Sequence, residues 1–146
     1  AETLMNLGCA KAMVVHGMPG LDEFSTSGPS YAIFINNGTA LSRTFLPEEI
    51  GLQRHRVEEL SGGCVEENAK IAIKILRGLD RGARQDFVIA NAAAAILAGG
   101  QVKDLREGVE AARISVESGE AYRKLRVLVQ QCGDIGRLDG LVARYG

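Results

Sequence analysis

Asn37-Gly38, set between the β-prone runs Tyr31-Ala32-Ile33-Phe34-Ile35 and Ala40 to Phe45, constrains the fold of this chain more than any other short stretch. An Asn-Gly pair between such runs is the strongest short hairpin signal, because the favoured two-residue turn needs a positive φ at both positions. An antiparallel hairpin is therefore expected. Ahead of it, residues 12 to 16 form a short apolar segment that runs into Gly17 and suits a buried parallel strand better than an amphipathic helix, so the sheet should be mixed.

The second half reads as helices. Pro47-Glu48-Glu49 can start a short helical turn. A helix is expected from about Val65 to Leu79 with Ala69, Ala72, Ile73 and Leu76 on its core face, and a second from about Gln85 to Leu97. The second is apolar on nearly all sides and ends at Gly99-Gly100, as a central, enclosed helix would. Asp104 and Glu107 have capping-box spacing before a third helix over 105 to 117, with Leu105, Val109, Ala112 and Val116 at helical intervals. Ser118-Gly119 restarts the chain into a fourth over 120 to 131, carrying Ala121, Leu125, Leu128 and Val129. In the Gly-punctuated tail, Leu138, Leu141, Val142 and Tyr145 can line one face of a short helix. So few strands would leave most helical faces without a partner, which implies strands from elsewhere. Thr3-Leu4-Met5-Asn6-Leu7-Gly8 also looks like the last turns of a helix closed by Gly, so the chain is expected to begin inside a larger fold, loss of an initiator Met being the alternative.

At 146 residues the chain has the size of one domain and can bury roughly 70% of its unfolded surface. A formal charge of −1 gives no general attraction to nucleic acid. Cys9, Cys64 and Cys132 are scattered and lack metal-site or disulfide-scaffold spacing, which suits reduced thiols in a cytoplasmic protein. The longest apolar run, Ala92 to Ala98, is far short of the ~20 residues that span a bilayer, and Ala1-Glu2-Thr3-Leu4 lacks the features of a signal peptide. Neither a membrane nor a nucleic-acid partner is expected.

The candidate chemistry sits just past the first strand. Asp22 and Glu23 are adjacent carboxylates in a Gly-rich loop, hard oxygen ligands suited to Mg²⁺, and Mg²⁺ most often carries phosphates. Ser25-Thr26-Ser27-Gly28 follow, whose hydroxyls and amides are placed to meet phosphate oxygens or metal-bound water. His16 can face the same site but is better read as a hydrogen-bonded strand-end residue. Arg54-His55-Arg56 is best read as a solvated loop, and Asn91 as a buried hydrogen-bonding group that fixes a helix contact. No nucleophile elbow, Walker loop or His-Glu-x-x-His is present.

Val14-Val15-His16-Gly17-Met18-Pro19-Gly20-Leu21-Asp22-Glu23 with Ser25 and Gly28 resembles the metal-binding segment of the anthranilate phosphoribosyltransferase family. Three more segments match in the same order: Gly62-Gly63 with Glu66-Glu67-Asn68-Ala69, then Asn91 to Ala95, then Leu105-Arg106-Glu107-Gly108-Val109 through Ser118-Gly119 and Ala121. The resemblance implies an α/β fold: part of the large mixed-sheet domain of the nucleoside phosphorylase/phosphoribosyltransferase fold, a β-hairpin followed by about four helices. It implies residues 1–132 as the C-terminal portion of that domain and 133–146 as a tail. It further implies Mg²⁺ held by Asp22 and Glu23, 5-phosphoribosyl diphosphate and anthranilate as substrates, and a homodimeric intact enzyme of tryptophan biosynthesis. The family's Gly-Thr-Gly-Gly-Asp diphosphate loop, Lys/His/Asn/Arg motif and anthranilate-contacting Arg have no counterpart here. The expectation is thus a chain that is inactive without a missing N-terminal part. Alternatives are a nucleic-acid-binding paralogue of the fold, an enzyme like the pyrimidine nucleoside phosphorylases, or a non-catalytic assembly module.

Overall fold

The computed structural model describes residues 1–18 and 20–145. A short helix α1, Glu2–Asn6, ends at Gly8 with φ +79°, where the Gly8 and Cys9 amides donate to the carbonyls of Met5 and Leu4. Three strands follow, β1 Lys11–Gly17, β2 Ser30–Asn36 and β3 Thr39–Phe45. Asn37 and Gly38 carry φ of 47° and 82°, the two positive values that a tight hairpin turn needs, and Asn36 pairs with Thr39 across it.

The sheet has the order β1-β2-β3 and is antiparallel throughout, with Lys11 opposite Asn36 and Gly17 opposite Ser30. The parallel pairing expected for residues 12 to 16 is not made: β1 pairs with β2, and its other edge has no strand among the described residues. Its apolar residues are consequently half-buried rather than enclosed.

Five helices complete the chain: α2 Val65–Leu76, α3 Ala83–Ala98, α4 Leu105–Glu117, α5 Glu120–Cys132 and α6 Ile135–Tyr145. Short 3₁₀ turns at Pro47–Ile50 and Val57–Leu60 lead from the hairpin into α2, the second of them without a forecast from the residues. The core joins Phe24, Ala32 and Phe45 to Ile89, Ala90, Ala93 and Ala94 of α3 and to Leu105, Val109 and Ala112 of α4. Met13, Val15 and Phe34 pack against it from the sheet's inner face. Gly108 lets α3 and α4 approach closely, since a Cβ there would lie 2.8 Å from the Ala93 carbonyl oxygen.

The apolar face of α4 is realised in full and Asp104 accepts from the Glu107 amide at 2.9 Å, while the Glu107 carboxylate takes the Lys103 amide at 3.0 Å instead of closing a capping box on Asp104. Elsewhere the faces differ from expectation. α2 ends at Leu76, because Gly78 at φ +69° turns the chain away. It buries Ile73 and Ile75 while Ala72 stays exposed beside an open apolar groove against Phe87 and Val88 of α3. α3 is central but not enclosed, with Val88 and Ala95 exposed. None of α5 is fully buried, and Leu128 is 57% exposed. On α6, Leu138 is buried and the Arg144 guanidinium and Tyr145 hydroxyl donate to one Glu66 oxygen of α2, at 3.0 and 2.7 Å.

Candidate metal-binding loop

The chain leaves β1 through a tight turn. The Gly17 and Leu21 peptides exchange two hydrogen bonds of 2.8 Å, and Gly20 sits at φ +99°. Gly17 has no alternative, because a Cβ there would meet the Glu23 carbonyl oxygen at 2.6 Å and the Ser25 Cβ at 2.8 Å. Asp22 and Glu23 come next, and both are exposed. Pro19, part of the motif that singled out this segment, lies outside the described residues.

Directly after the acids the chain dives inward. Phe24 is fully buried, its ring 6.0 Å from that of Phe45, which contributes roughly 1.5–3 kcal/mol through removal of apolar surface from water. Its amide donates to Asn91 Oδ1 at 2.8 Å, and its carbonyl accepts from Asn91 Nδ2 at 2.9 Å. The same Nδ2 donates to the Phe87 carbonyl at 2.9 Å. Asn91 thus fixes a contact between α3 and the loop, as its lone polarity in an Ala-rich helix suggests.

The Ser25 and Ser30 hydroxyls behind the acids are hydrogen-bonded within the loop, whereas the buried Thr26 Oγ1 has no partner among the described residues. The Ser25 amide donates to Ser30 Oγ at 2.7 Å, and the Ser27 amide donates to Ser25 Oγ at 3.0 Å. Ser25, Thr26 and Ser30 are all fully buried. Of the Ser25-Thr26-Ser27 hydroxyls expected to meet phosphate oxygens, that of Ser25 is buried and bonded within the loop instead, and Thr26 Oγ1 is buried and turned away from solvent. His16 is exposed at the end of β1, opposite Tyr31, with no hydrogen bond to either acid among the described residues.

His55 overturns its reading as part of a solvated loop. Its amide donates to the Thr26 carbonyl at 2.9 Å, and its ring Nε2 lies 2.9 Å from Asp86 Oδ2. Arg113 of α4 donates to Asp86 Oδ1 at 3.3 Å. The flanking cations are also spoken for, Arg54 by Glu48 at 3.1 Å and Arg56 by Glu58 at 3.4 Å. A backbone hydrogen bond and the Arg54 guanidinium hold the Glu48 carboxyl below the usual range.

Helix α3 therefore carries the loops in series. Arg84 donates to the Ser61 carbonyl at 2.8 and 3.1 Å, Asp86 takes His55, and Asn91 takes Phe24. Asn68 of α2 repeats the device on Gly63, accepting from its amide at 2.8 Å and donating to its carbonyl at 2.9 Å. Asp86, Arg113 and Arg84 had no local signal, because their partners lie on distant segments.

Two adjacent exposed carboxylates suit a cation that takes one or two protein ligands and fills the rest of its octahedron with water and phosphate oxygens, which is the habit of Mg²⁺. No group of three or more His, Cys, Asp or Glu converges among the described residues, so a closed zinc-type cage is not on offer there. The donor set thus fits Mg²⁺ shared with a phosphorylated ligand. Among the described residues, no helix is long and apolar enough to cross a membrane.

Residues 1–122 match the model of the glycosyl transferase family, a/b domain. The anthranilate phosphoribosyltransferase of Pelotomaculum thermopropionicum is 44% identical over 135 residues, covering 92% of this chain and 39% of its own length. The crystal structure of anthranilate phosphoribosyltransferase from Thermus thermophilus is similar with a TM-score of 0.79 and 40% identity, covering 88% of this chain and 37% of that one. The Saccharomyces cerevisiae anthranilate phosphoribosyltransferase in complex with PRPP and Mg is similar with a TM-score of 0.75 and 25% identity, covering 84% and 35%. The chain spans less than two fifths of the length of these relatives. With most of its residues matched and its hairpin and helices shared with these transferases, the chain belongs to the glycosyl transferase family, through its α/β domain.

Proposed function

We propose that this chain supplies the Mg²⁺-holding acid pair of an anthranilate phosphoribosyltransferase of tryptophan biosynthesis. The observation that carries the reading is the mounting of Asp22 and Glu23: exposed, adjacent, and held at both ends by buried anchors. A relative in complex with PRPP and Mg supports it.

In this reading the anthranilate amine forms a bond to the anomeric carbon of 5-phosphoribosyl diphosphate, the bond to diphosphate breaks, and the amine loses a proton. When bound, Mg²⁺ would supply neutralising charge at the departing diphosphate. Asp22 and Glu23 would hold it, while Gly17 and Asn91 keep the two carboxylates at a fixed place relative to β1 and α3. Residues 1–132 would be the C-terminal portion of the α/β domain and 133–146 its tail. A missing N-terminal part would provide the diphosphate loop and the anthranilate contacts, and the intact enzyme would be a cytoplasmic homodimer. The pairing of Arg54 and Arg56 with glutamates weighs against the nucleic-acid-binding alternative, which needs free cations for phosphates.

The test is complementation with the N-terminal segment of a relative such as the Thermus thermophilus enzyme, following diphosphate release. The chain alone is expected to be inactive and the mixture active. Robust turnover by the isolated chain, or none after the two parts demonstrably associate, would contradict the reading.

A further inference from the structure

Between Leu21 and Phe24 the chain has only two residues, Asp22 and Glu23, and both neighbours are bolted down. Leu21 is tied to Gly17 by two backbone hydrogen bonds, and Phe24 is tied to Asn91 by two more. The two bolts differ in kind. The first is backbone to backbone, whereas the second depends on one side chain that is far away in sequence.

An asparagine amide offers one acceptor oxygen and two N–H donors. At position 91 the oxygen takes the Phe24 amide, while the nitrogen serves the Phe24 and Phe87 carbonyls at 2.9 Å each. The Phe87 bond runs to the preceding turn of α3, so the helix itself orients the amide before the loop arrives. Aspartate keeps the acceptor and loses both donors, and alanine loses all three.

We infer that Asn91 is a positioning residue for metal binding: by gripping the Phe24 peptide it fixes where the Asp22 and Glu23 carboxylates are presented. The inference rests on the reading of Asp22 and Glu23 as the metal-holding pair. Two carboxylates share one ion only if their backbone does not wander, and a rigid mount lets the pair bind without ordering itself first.

The test uses the whole chain, ¹⁵N-labelled, titrated with Mn²⁺ as a paramagnetic stand-in for Mg²⁺ and read by broadening of the amides of residues 21–25. The variants are Asn91→Asp, Asn91→Ala and, as a control for lost stability, Ile73→Ala on α2. Ile73 is buried and lies outside the core cluster that holds Phe24. Both Asn91 variants are expected to weaken Mn²⁺ binding five- to tenfold, while Ile73→Ala keeps the parental affinity despite a comparable fall in Tm. Unchanged affinity in the Asn91 variants, or equal weakening in Ile73→Ala, overturns the inference.

Absence of broadening in the parent chain would instead remove the metal-holding reading of Asp22 and Glu23. Asn91 would then be judged on the amide order parameters of residues 22 and 23. A fall from the rigid range near 0.85 towards 0.6 in Asn91→Asp and not in Ile73→Ala would uphold its grip on the pair, and no fall would refute it.

Discussion

Gly17 and Leu21 exchange two backbone hydrogen bonds of 2.8 Å, closing a turn so tight that the Glu23 carbonyl oxygen lies 2.6 Å from where a Cβ of residue 17 would stand. Gly17→Ala must therefore push the acid-bearing segment outward, since the obstructing atom is backbone and cannot swing aside. A destabilisation of about 1–3 kcal/mol is expected from overpacking, measured by urea unfolding. Chemical shifts should move at residues 22 and 23 and stay put on α5.

Gly108→Ala probes the other close approach. Its Cβ would lie 2.8 Å from the Ala93 carbonyl oxygen and 3.0 Å from the Ala93 Cβ, so α3 and α4 must separate. A loss of about 1–3 kcal/mol is expected. A Tm equal to that of the parent chain would mean that the helices cross less closely than described.

Asp86 ties three segments together, accepting from Arg113 and pairing with His55, whose amide in turn holds Thr26. Asp86→Ala is expected to cost about 1–2 kcal/mol, less than a fully buried pair would because Arg113 keeps 34% of its side chain exposed. Hydrogen exchange should quicken at the His55 amide. If it does not, the network is a passive surface contact.

The α6 contact is expected to be pH-dependent. Glu66 has its carboxyl lowered below the usual range, first by the Tyr145 hydroxyl and then by Arg144. A carboxyl whose pKa is depressed on folding stabilises the fold above its unfolded value, near 4.3, and that contribution is lost as pH falls through the lower folded value. Glu66→Gln should thus lower Tm at pH 7 and leave it little changed at pH 3. Equal effects at both values would show that Glu66 acts by packing alone.

How much was legible in the residues follows the range of the forces involved. The Asn37-Gly38 turn, the Asp104 cap and the apolar face of α4 rest on neighbours a few positions apart, and all three stand where expected. Strand partnership does not work that way: the run at 12 to 16 has the composition of an enclosed strand but finds only β2 among the described residues. The Ser25-Thr26-Ser27 hydroxyls illustrate a second limit, because a Gly- and Ser-rich loop looks the same whether its polar groups face a ligand or one another. Asp86 and Arg113 were silent because their bonds span 31 and 27 residues. The adjacent acids were visible as a pair, and their anchors were not.

Asp22 and Glu23 are proposed to hold Mg²⁺ for phosphoribosyl transfer. The most direct measurement is the Mg²⁺ dependence of diphosphate release by the complemented enzyme, with the parent chain set against the Asp22→Asn/Glu23→Gln variant. In the variant the half-saturating Mg²⁺ concentration is expected to rise at least tenfold and turnover to fall on the order of a hundredfold, a loss of roughly 3 kcal/mol in barrier lowering. The same Mg²⁺ dependence and the same turnover in both would contradict it.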